Sequence, residues 1–108
     1  METLYNPMPS LLEEVVEFVL HLFINPDTPS SQRALRNTQE ICEQHLKGHY
    51  ELLVFDVKQH PEMAIQEQLL GIPTLIKKSP GLVRRLVGDL ENRERALRAL
   101  GIPATAPQ

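Results

Sequence analysis

The chain has 108 residues, of which 42% are hydrophobic and 23% charged, and it contains no low-complexity tract. These values predict one folded domain with a modest core, built mainly from aliphatic side chains because aromatic residues make up only 5% of the chain. The formal net charge of −3 argues against a general nucleic-acid-binding protein, which usually carries a strongly basic face.

The compartment is indicated by the single cysteine and by the N-terminal composition. Cys42 cannot form an intramolecular disulfide, which is typical of a reducing compartment. Glu2 stands where a secretory signal would carry basic residues, and Glu17 and His21 interrupt the one long apolar stretch. That stretch is also too short to span a bilayer. We therefore expect a cytoplasmic protein that does not enter a membrane.

The chain is expected to divide into an N-terminal extension, residues 1–17, a domain over residues 18–102, and a disordered tail, residues 103–108. In the extension, Ser10 and Glu13 have capping-box spacing. Either a short helix begins there, or the segment lengthens the strand that follows.

The first half of the domain is typical of a strand, a helix and a second strand. Phe18–Ile24 is apolar on both faces at all but one position, the pattern of a central strand. Thr28 and Pro29 suit the N-cap and the first position of a helix, which is predicted over residues 29–46. Residues 50–57 are rich in β-branched and aromatic side chains and are predicted as the second strand.

The second half is predicted to contain a helix, a β-hairpin and a final helix. The helix covers residues 61–70, and the hairpin strands cover residues 72–78 and 82–88. Asp89 is predicted to cap the last helix, which ends at Gly101. The order βαβαββα predicts an α/β domain with a mixed four-stranded sheet in the thioredoxin-like arrangement, its strands ordered second, first, third, fourth. The second strand then lies at one edge.

Redox chemistry of the thioredoxin kind would need a reactive thiol just before the first helix, where the helix dipole stabilises a thiolate. The sequence there is "NPDTPSS", and Cys42 lies about three turns into the helix. We predict a packed core cysteine and no enzymatic activity. Pro73, in "GIPT", stands where thioredoxin-like folds usually hold a cis proline, and we expect it to fix a turn.

The histidines give little support for a metal site. His45 and His49 are four residues apart, but Gly48 should end the helix between them and divert the second side chain. We expect neither a metal nor a cofactor.

Two features of the predicted sheet indicate contact with other proteins. Arg84 and Arg85 are adjacent on one strand and must point to opposite faces. They either protect a solvated edge strand, or one of them meets an acidic partner. The edge strand that contains Tyr50, Leu52 and Val54 is apolar and needs cover, from self-association, from a partner strand or from the N-terminal extension.

Four segments, "NPDTPSSQRAL", "FDVKQHPEMA", "GIPTLIKKSP" and "VRRLVGDLENRE", occur with the order and spacing found in the KaiB family. The chain from residue 18 to about residue 100 closely resembles that family. The resemblance implies a non-enzymatic adaptor that binds a ring-shaped ATPase of the KaiC type and recruits or excludes other signalling proteins. It also implies KaiA-like or histidine-kinase partners, and self-association as a dimer or tetramer.

The resemblance extends to particular residues. Leu53 and Gln68 stand where clock members of the family often carry lysine, which leaves a paralogue in a stress pathway, or a histidine-kinase-associated sensory domain, as the alternative. The candidate partner-binding residues are those at matching basic positions together with the apolar edge: Arg33, Arg84, Arg85, Arg93, Tyr50, Leu52 and Val54.

The family is also known for two folds, a thioredoxin-like monomer and a tetramer whose elements run βαββααβ. The second fold requires residues 95–102 to become a strand. This segment is built from Ala, Leu and Arg, which favour helix, and Pro103 follows it directly. We therefore predict the thioredoxin-like order.

Overall fold

The computed structural model describes residues 17–103. The predictions for residues 1–17 and 103–108 therefore fall outside the described residues, except at positions 17 and 103 themselves. The element order is βαβαββα, as predicted, and the last element is the predicted helix rather than a strand. The elements are β1 (Phe18–Ile24), α1 (Pro29–His45), β2 (Tyr50–Asp56), α2 (Pro61–Gln66), β3 (Thr74–Ser79), β4 (Arg84–Val87) and α3 (Arg93–Leu100).

The four strands form one mixed sheet in the order β2-β1-β3-β4, which confirms the predicted order. β1 runs parallel to β2, with Phe18 beside Tyr50 at one end and Ile24 beside Asp56 at the other. β3 runs antiparallel to both β1 and β4. Within residues 17–103, β2 and β4 are therefore the two edges of the sheet.

The core lies between one face of the sheet and the helices α1 and α3. Leu20 and Leu22 of β1 are fully buried there, as is Leu100 of α3. Each such side chain contributes about 1.5–3 kcal/mol relative to an exposed one. These contacts hold α3 against the sheet, and α3 in turn lies beside β4.

The opposite face of the sheet is covered lightly. The rings of Phe23 and Phe55 stack with centroids 5.0 Å apart, and His21 meets Phe55 edge-on at 5.3 Å. The helix on this side is α2, none of whose residues is buried. As a result Ile65 and Leu70 remain 79% and 95% exposed.

Helix α1 has the predicted termini. The Thr28 hydroxyl oxygen accepts a hydrogen bond from the Ser31 N–H at 3.3 Å, and Pro29 is the first helical residue. The helix ends at His45, and Gly48 shortly after it has the positive φ of 81° that favours glycine.

Three of the predicted bounds of the hairpin and of α2 are wrong, and one of them is the start of β3, which lies at Thr74 rather than at residue 72. α2 ends at Gln66 because Gln68 adopts a left-handed conformation, with φ of 55°, and the apolar residues beyond it find no core. β4 begins at Arg84 rather than at residue 82. The Leu82 carbonyl is held instead by the ammonium group of Lys77, at 2.9 Å.

The predicted cap of the last helix is also wrong. Asn92, not Asp89, is the N-cap of α3, and its side-chain oxygen accepts from the Arg95 N–H at 3.0 Å. Asp89 accepts from the Glu91 N–H at 3.1 Å, which forms a turn ahead of the helix. In this turn Leu90 has a φ of 63° and its side chain enters the core, so the helix cannot begin earlier.

Candidate partner-binding surfaces

The two adjacent arginines of β4 lie on opposite faces of the sheet and differ in their contacts. Arg85 lies on the α2 side, where it donates to the Glu67 carbonyl at 2.7 Å and stands 3.9 Å from the Glu67 carboxylate. Arg84 lies on the α3 side, with its Nε 3.2 Å from the point where a Cβ at Gly101 would stand. Within residues 17–103 no carboxylate lies within 4.0 Å of Arg84. Arg84 is therefore the arginine whose charge is available to a partner.

Arg33 and Arg93 lie elsewhere, between α1 and the segment that precedes α3. Arg33 forms an ion pair with Asp89 at 3.1 Å. The N–H of Glu91 and the Arg33 guanidinium hold the pKa of the Asp89 carboxyl below its usual range. Arg93 pairs with the Glu40 carboxylate on α1. The four candidate arginines thus do not form one surface, because these two are engaged within the fold.

The β2 edge is only partly exposed. Tyr50 and Leu52 are half-buried against the core, and the Tyr50 hydroxyl donates to the Glu43 carboxylate at 2.7 Å. That hydrogen bond, with burial, raises the pKa of Tyr50 to about 12. Val54 is 42% exposed, and Leu53, which points to the other face, is 39% exposed. The exposed apolar surface at this edge therefore consists of Val54 and Leu53. Only Val54 was among the partner-binding residues predicted from the sequence.

Sequence reasoning missed a larger set of residues around β4. Arg95 of α3 lines a surface depression together with Leu86 and Val87. Arg98 follows Arg95 by three residues on α3 and is also exposed, so the two arginines are neighbours on the surface of this helix. The i, i+3 spacing of the two arginines was visible in the sequence and could have indicated this. We call the following residues the β4 surface: Leu82, Val83, Arg84, Val87, Arg95 and Arg98.

The β4 surface combines basic and apolar groups. Leu82, Val83 and Val87 are 75%, 58% and 53% exposed. No ion pair within residues 17–103 involves Arg95 or Arg98. Exposed apolar side chains beside unpaired positive charge are what an apolar, acidic partner surface would complement.

A buried lysine shapes the hairpin that leads into β4. Lys77 is only 4% exposed, and its ammonium group donates to the carbonyl oxygens of Pro80 and Leu82. Burial, with the nearby Arg84 charge, lowers the pKa of Lys77. These two hydrogen bonds fix residues 80–82 and so set where the exposed part of the hairpin begins.

Within residues 17–103, the groups that could carry covalent or metal chemistry are not arranged for it. Cys42 is fully buried, and burial raises the pKa of its thiol to about 12, so the thiolate is scarce. The Ile72–Pro73 peptide bond is cis, and so is Ser79–Pro80. Over residues 17–103 no three His, Cys, Asp or Glu side chains cluster as metal ligands. Nor does this part of the chain contain a helix with the length and apolar character needed to cross a membrane.

Solved structures with the same arrangement confirm the thioredoxin-like fold. Mitochondrial thioredoxin 3 from Saccharomyces cerevisiae superposes with a TM-score of 0.63 at 12% identity, covering 84% of this chain and 83% of its own. The N-terminal domain of Synechococcus elongatus SasA gives a TM-score of 0.62 at 21% identity, covering 99% of this chain and 95% of its own. At these identities the likeness concerns the fold alone.

The sequence comparisons are more specific. Residues 21–102 match the family profile described as KaiB domain. The circadian clock oscillator protein KaiB of Thermosynechococcus vestitus is 44% identical over 85 residues, which cover 79% of each chain. The protein of the same name from Prochlorococcus marinus strain MIT 9211 is 42% identical over 85 residues, which cover 79% of this chain and 75% of the relative. The chain therefore belongs to the KaiB family.

Proposed function

We propose that the chain is a non-enzymatic adaptor that binds a KaiC-type ATPase ring and modulates its signalling. Its relatives at 42–44% identity are circadian clock oscillator proteins. The single observation that carries the proposal is the position of Arg84, exposed at a sheet edge and without a carboxylate partner within residues 17–103. Arg84 is the first residue of β4. It belongs to "VRRLVGDLENRE", the segment that most resembles the family.

The β4 surface supports an acidic contact on the ring. Its arginines supply charge, while Leu82, Val83 and Val87 supply apolar area that loses contact with water on binding. A charge-assisted hydrogen bond to one arginine is worth about 1–3 kcal/mol. Binding through this surface should weaken as ionic strength rises, because exposed charges are screened.

In this proposal, β2, the edge opposite to β4, is where the chain self-associates or binds a further partner. β2 presents Val54 and Leu53, both exposed, and its outer edge pairs with no other strand within residues 17–103. An apolar edge of this kind can pair with a second copy, receive a partner strand such as that of a KaiA-like protein, or be covered by the N-terminal extension, and the first two are the ones we propose. Tyr50 and Leu52 would act there mainly by holding β2 against the core.

The test is capture from native lysate on the immobilised full chain, followed by mass spectrometry. We expect enrichment of a KaiC-type ATPase, and its loss with Arg84→Glu but not with Lys47→Glu, an exposed lysine beyond the end of α1. Enrichment of stress-response proteins or histidine kinases without the ATPase would support the alternative of a stress or sensory domain and contradict the proposal. If Arg84→Glu and Lys47→Glu capture the ATPase equally well, the β4 surface is not where the ATPase binds.

A further inference from the structure

The free side of β4 exposes hydrogen-bonding groups of the main chain. The Gly88 N–H donates to the Pro73 carbonyl at 2.9 Å, so residue 88 faces β3. In an antiparallel pair the main-chain groups alternate between facing the partner strand and facing away. Arg85 and Val87 therefore direct their N–H and C=O groups away from β3. No main-chain hydrogen bond from another described residue reaches these groups.

The arginines of β4 do not close this edge. Charged side chains often protect an edge strand against the addition of another strand. Here the Arg85 guanidinium is bent onto the Glu67 carbonyl on one face. Arg84 lies toward Gly101 on the other face. The two charges stand above and below the strand, and within residues 17–103 neither guanidinium bonds to the row of main-chain groups between them.

The two sides of the edge differ in chemistry. On the α3 side lie Arg84 and the two arginines of α3, Arg95 and Arg98. Glu94, in the first turn of α3, is the acidic residue next to Arg95 in sequence. On the α2 side, Val87 and the almost fully exposed Leu70 line one depression. Because alternate residues of a strand point to opposite faces, an added strand would present every second side chain to each of these environments.

The carboxylates close to the end of β4 do not neutralise the basic side. Asp89 is paired with Arg33, and Glu91 lies within 4.0 Å of both Arg33 and Arg36. These acidic groups are thus compensated by arginines of α1, and the arginines of the β4 surface keep their charge. The charge complementarity of the edge therefore selects an acidic occupant.

We propose that the β4 edge binds an extended segment of a partner protein by strand addition, the segment alternating acidic and apolar residues. The acidic side chains lie against Arg84, Arg95 and Arg98, the apolar ones against Val87 and Leu70, and the main chain pairs with residues 85 and 87. This deepens the proposed function and rests on it for the existence of a partner, because it states how the β4 surface is recognised.

The first experiment uses a short capped peptide of alternating Val and Glu as the probe, titrated into the ¹⁵N-labelled full chain. We expect the largest amide shifts at Arg85 and Val87, together with slowed hydrogen exchange at both N–H groups. A Val–Lys peptide should not bind. A Val–Glu peptide with N-methyl groups on alternate residues keeps its charge but loses the pairing N–H groups, and should bind at least about tenfold more weakly.

The second experiment changes the edge itself. Val87→Pro removes an outward N–H and keeps the bonds to β3, since proline is tolerated on edge strands. It should abolish binding of the Val–Glu peptide, whereas Val87→Thr should retain it. Arg84→Glu should weaken binding at least about fivefold, and Lys47→Glu should leave it unchanged. If Val87→Pro fails to fold, the N-methylated peptide and Arg84→Glu still decide the question.

The outcomes separate this inference from the proposed function. No binding of the Val–Glu peptide, or equal binding of its N-methylated form, overturns strand addition. If a KaiC-type ATPase nevertheless binds and is insensitive to Val87→Pro, the adaptor stands and recognition occurs by another mode. If the peptide binds at β4 and no such ATPase does, the edge site stands and the proposed partner is wrong.

Discussion

The side-chain amide of Asn37 donates a hydrogen bond of 2.8 Å to the main-chain carbonyl of Asp89, 52 positions further along the chain. The same NH₂ group lies 3.2 Å from the Glu91 carboxylate, and the Asn37 oxygen accepts from the Arg93 guanidinium at 3.2 Å. Asn37 is 2% exposed. It therefore fixes to α1 both the turn that follows β4 and the start of α3.

Replacing Asn37 by Leu, whose side chain has the same branched arrangement of heavy atoms, should lower the free energy of unfolding by about 2–4 kcal/mol. The change leaves the Asp89 carbonyl and the Arg93 guanidinium without this buried partner. Urea unfolding measures the effect, with Gln39→Ala, an exposed position on the same helix, as the control expected to change stability by no more than about 0.5 kcal/mol. A loss below about 0.5 kcal/mol for Asn37→Leu would show that the contact does not anchor this segment.

The two arginines of β4 should differ when each is reversed to Glu. Arg84→Glu is expected to weaken binding of a KaiC-type ATPase by about 1–3 kcal/mol, because Arg84 has no partner within residues 17–103. Arg85→Glu should change affinity less, since the Arg85 guanidinium already bonds to Glu67. Its main effect should be faster hydrogen exchange in the segment after α2. Affinity titrations with both variants check this, and a larger loss with Arg85→Glu would reverse the assignment.

His21 should make stability depend on pH near neutrality. Burial lowers the pKa of His21 from 6.5, assisted by Lys78 and opposed by Glu67 and Glu51. Below pH 6.5 His21 binds a proton in the unfolded chain but stays neutral in the folded protein until the pH approaches its lowered pKa. The free energy of unfolding should therefore fall as the pH drops from 6.5 to the folded-state pKa, and stay flat above 6.5 as far as His21 is concerned.

His21→Phe isolates this contribution, because it keeps an aromatic ring beside Phe23 and Phe55 and removes the titration. Urea unfolding at a series of pH values should show the stability of the wild type approaching or crossing that of the variant as the pH falls below 6.5. Parallel curves for the two proteins across this range would contradict the prediction.

Cys42 should be unreactive in the folded protein. It is fully buried and its pKa of about 12 leaves almost no thiolate at neutral pH. Labelling with a thiol-specific disulfide reagent should proceed only as fast as the fold opens, and rapidly in denaturant. The chain should not reduce insulin. Insulin reduction that persists in Cys42→Ala would come from a contaminant, whereas reduction that disappears in this variant would contradict the prediction that the chain has no redox activity.

Sequence reasoning predicted the element order and the strand order because their causes are local. The apolar run of β1, the Thr28–Pro29 cap and the helix-forming residues of α3 each favour one conformation. The errors arose where a tertiary contact decides. Asp89 has the chemistry of an N-cap, but Leu90 enters the core in a left-handed conformation and delays the helix to Asn92.

The candidate surfaces were harder to predict, for the same reason. Whether an arginine is available depends on its neighbours in space. Arg33 and Arg93 form ion pairs with Asp89 and Glu40, which are distant from them in sequence. The sequence did not indicate that Lys77 is buried. A strand pattern does not show that the hairpin turn brings the carbonyls of Pro80 and Leu82 onto its ammonium group.

We propose that this KaiB-family chain binds a KaiC-type ATPase ring through the β4 surface. Sedimentation velocity with the labelled full chain and a purified ring from the same organism, in each nucleotide state, tests it most directly. We predict that the chain sediments with the ring in at least one state, that Arg84→Glu raises the dissociation constant at least about fivefold, and that Lys47→Glu does not. A chain that never sediments with the ring in any nucleotide state would contradict it.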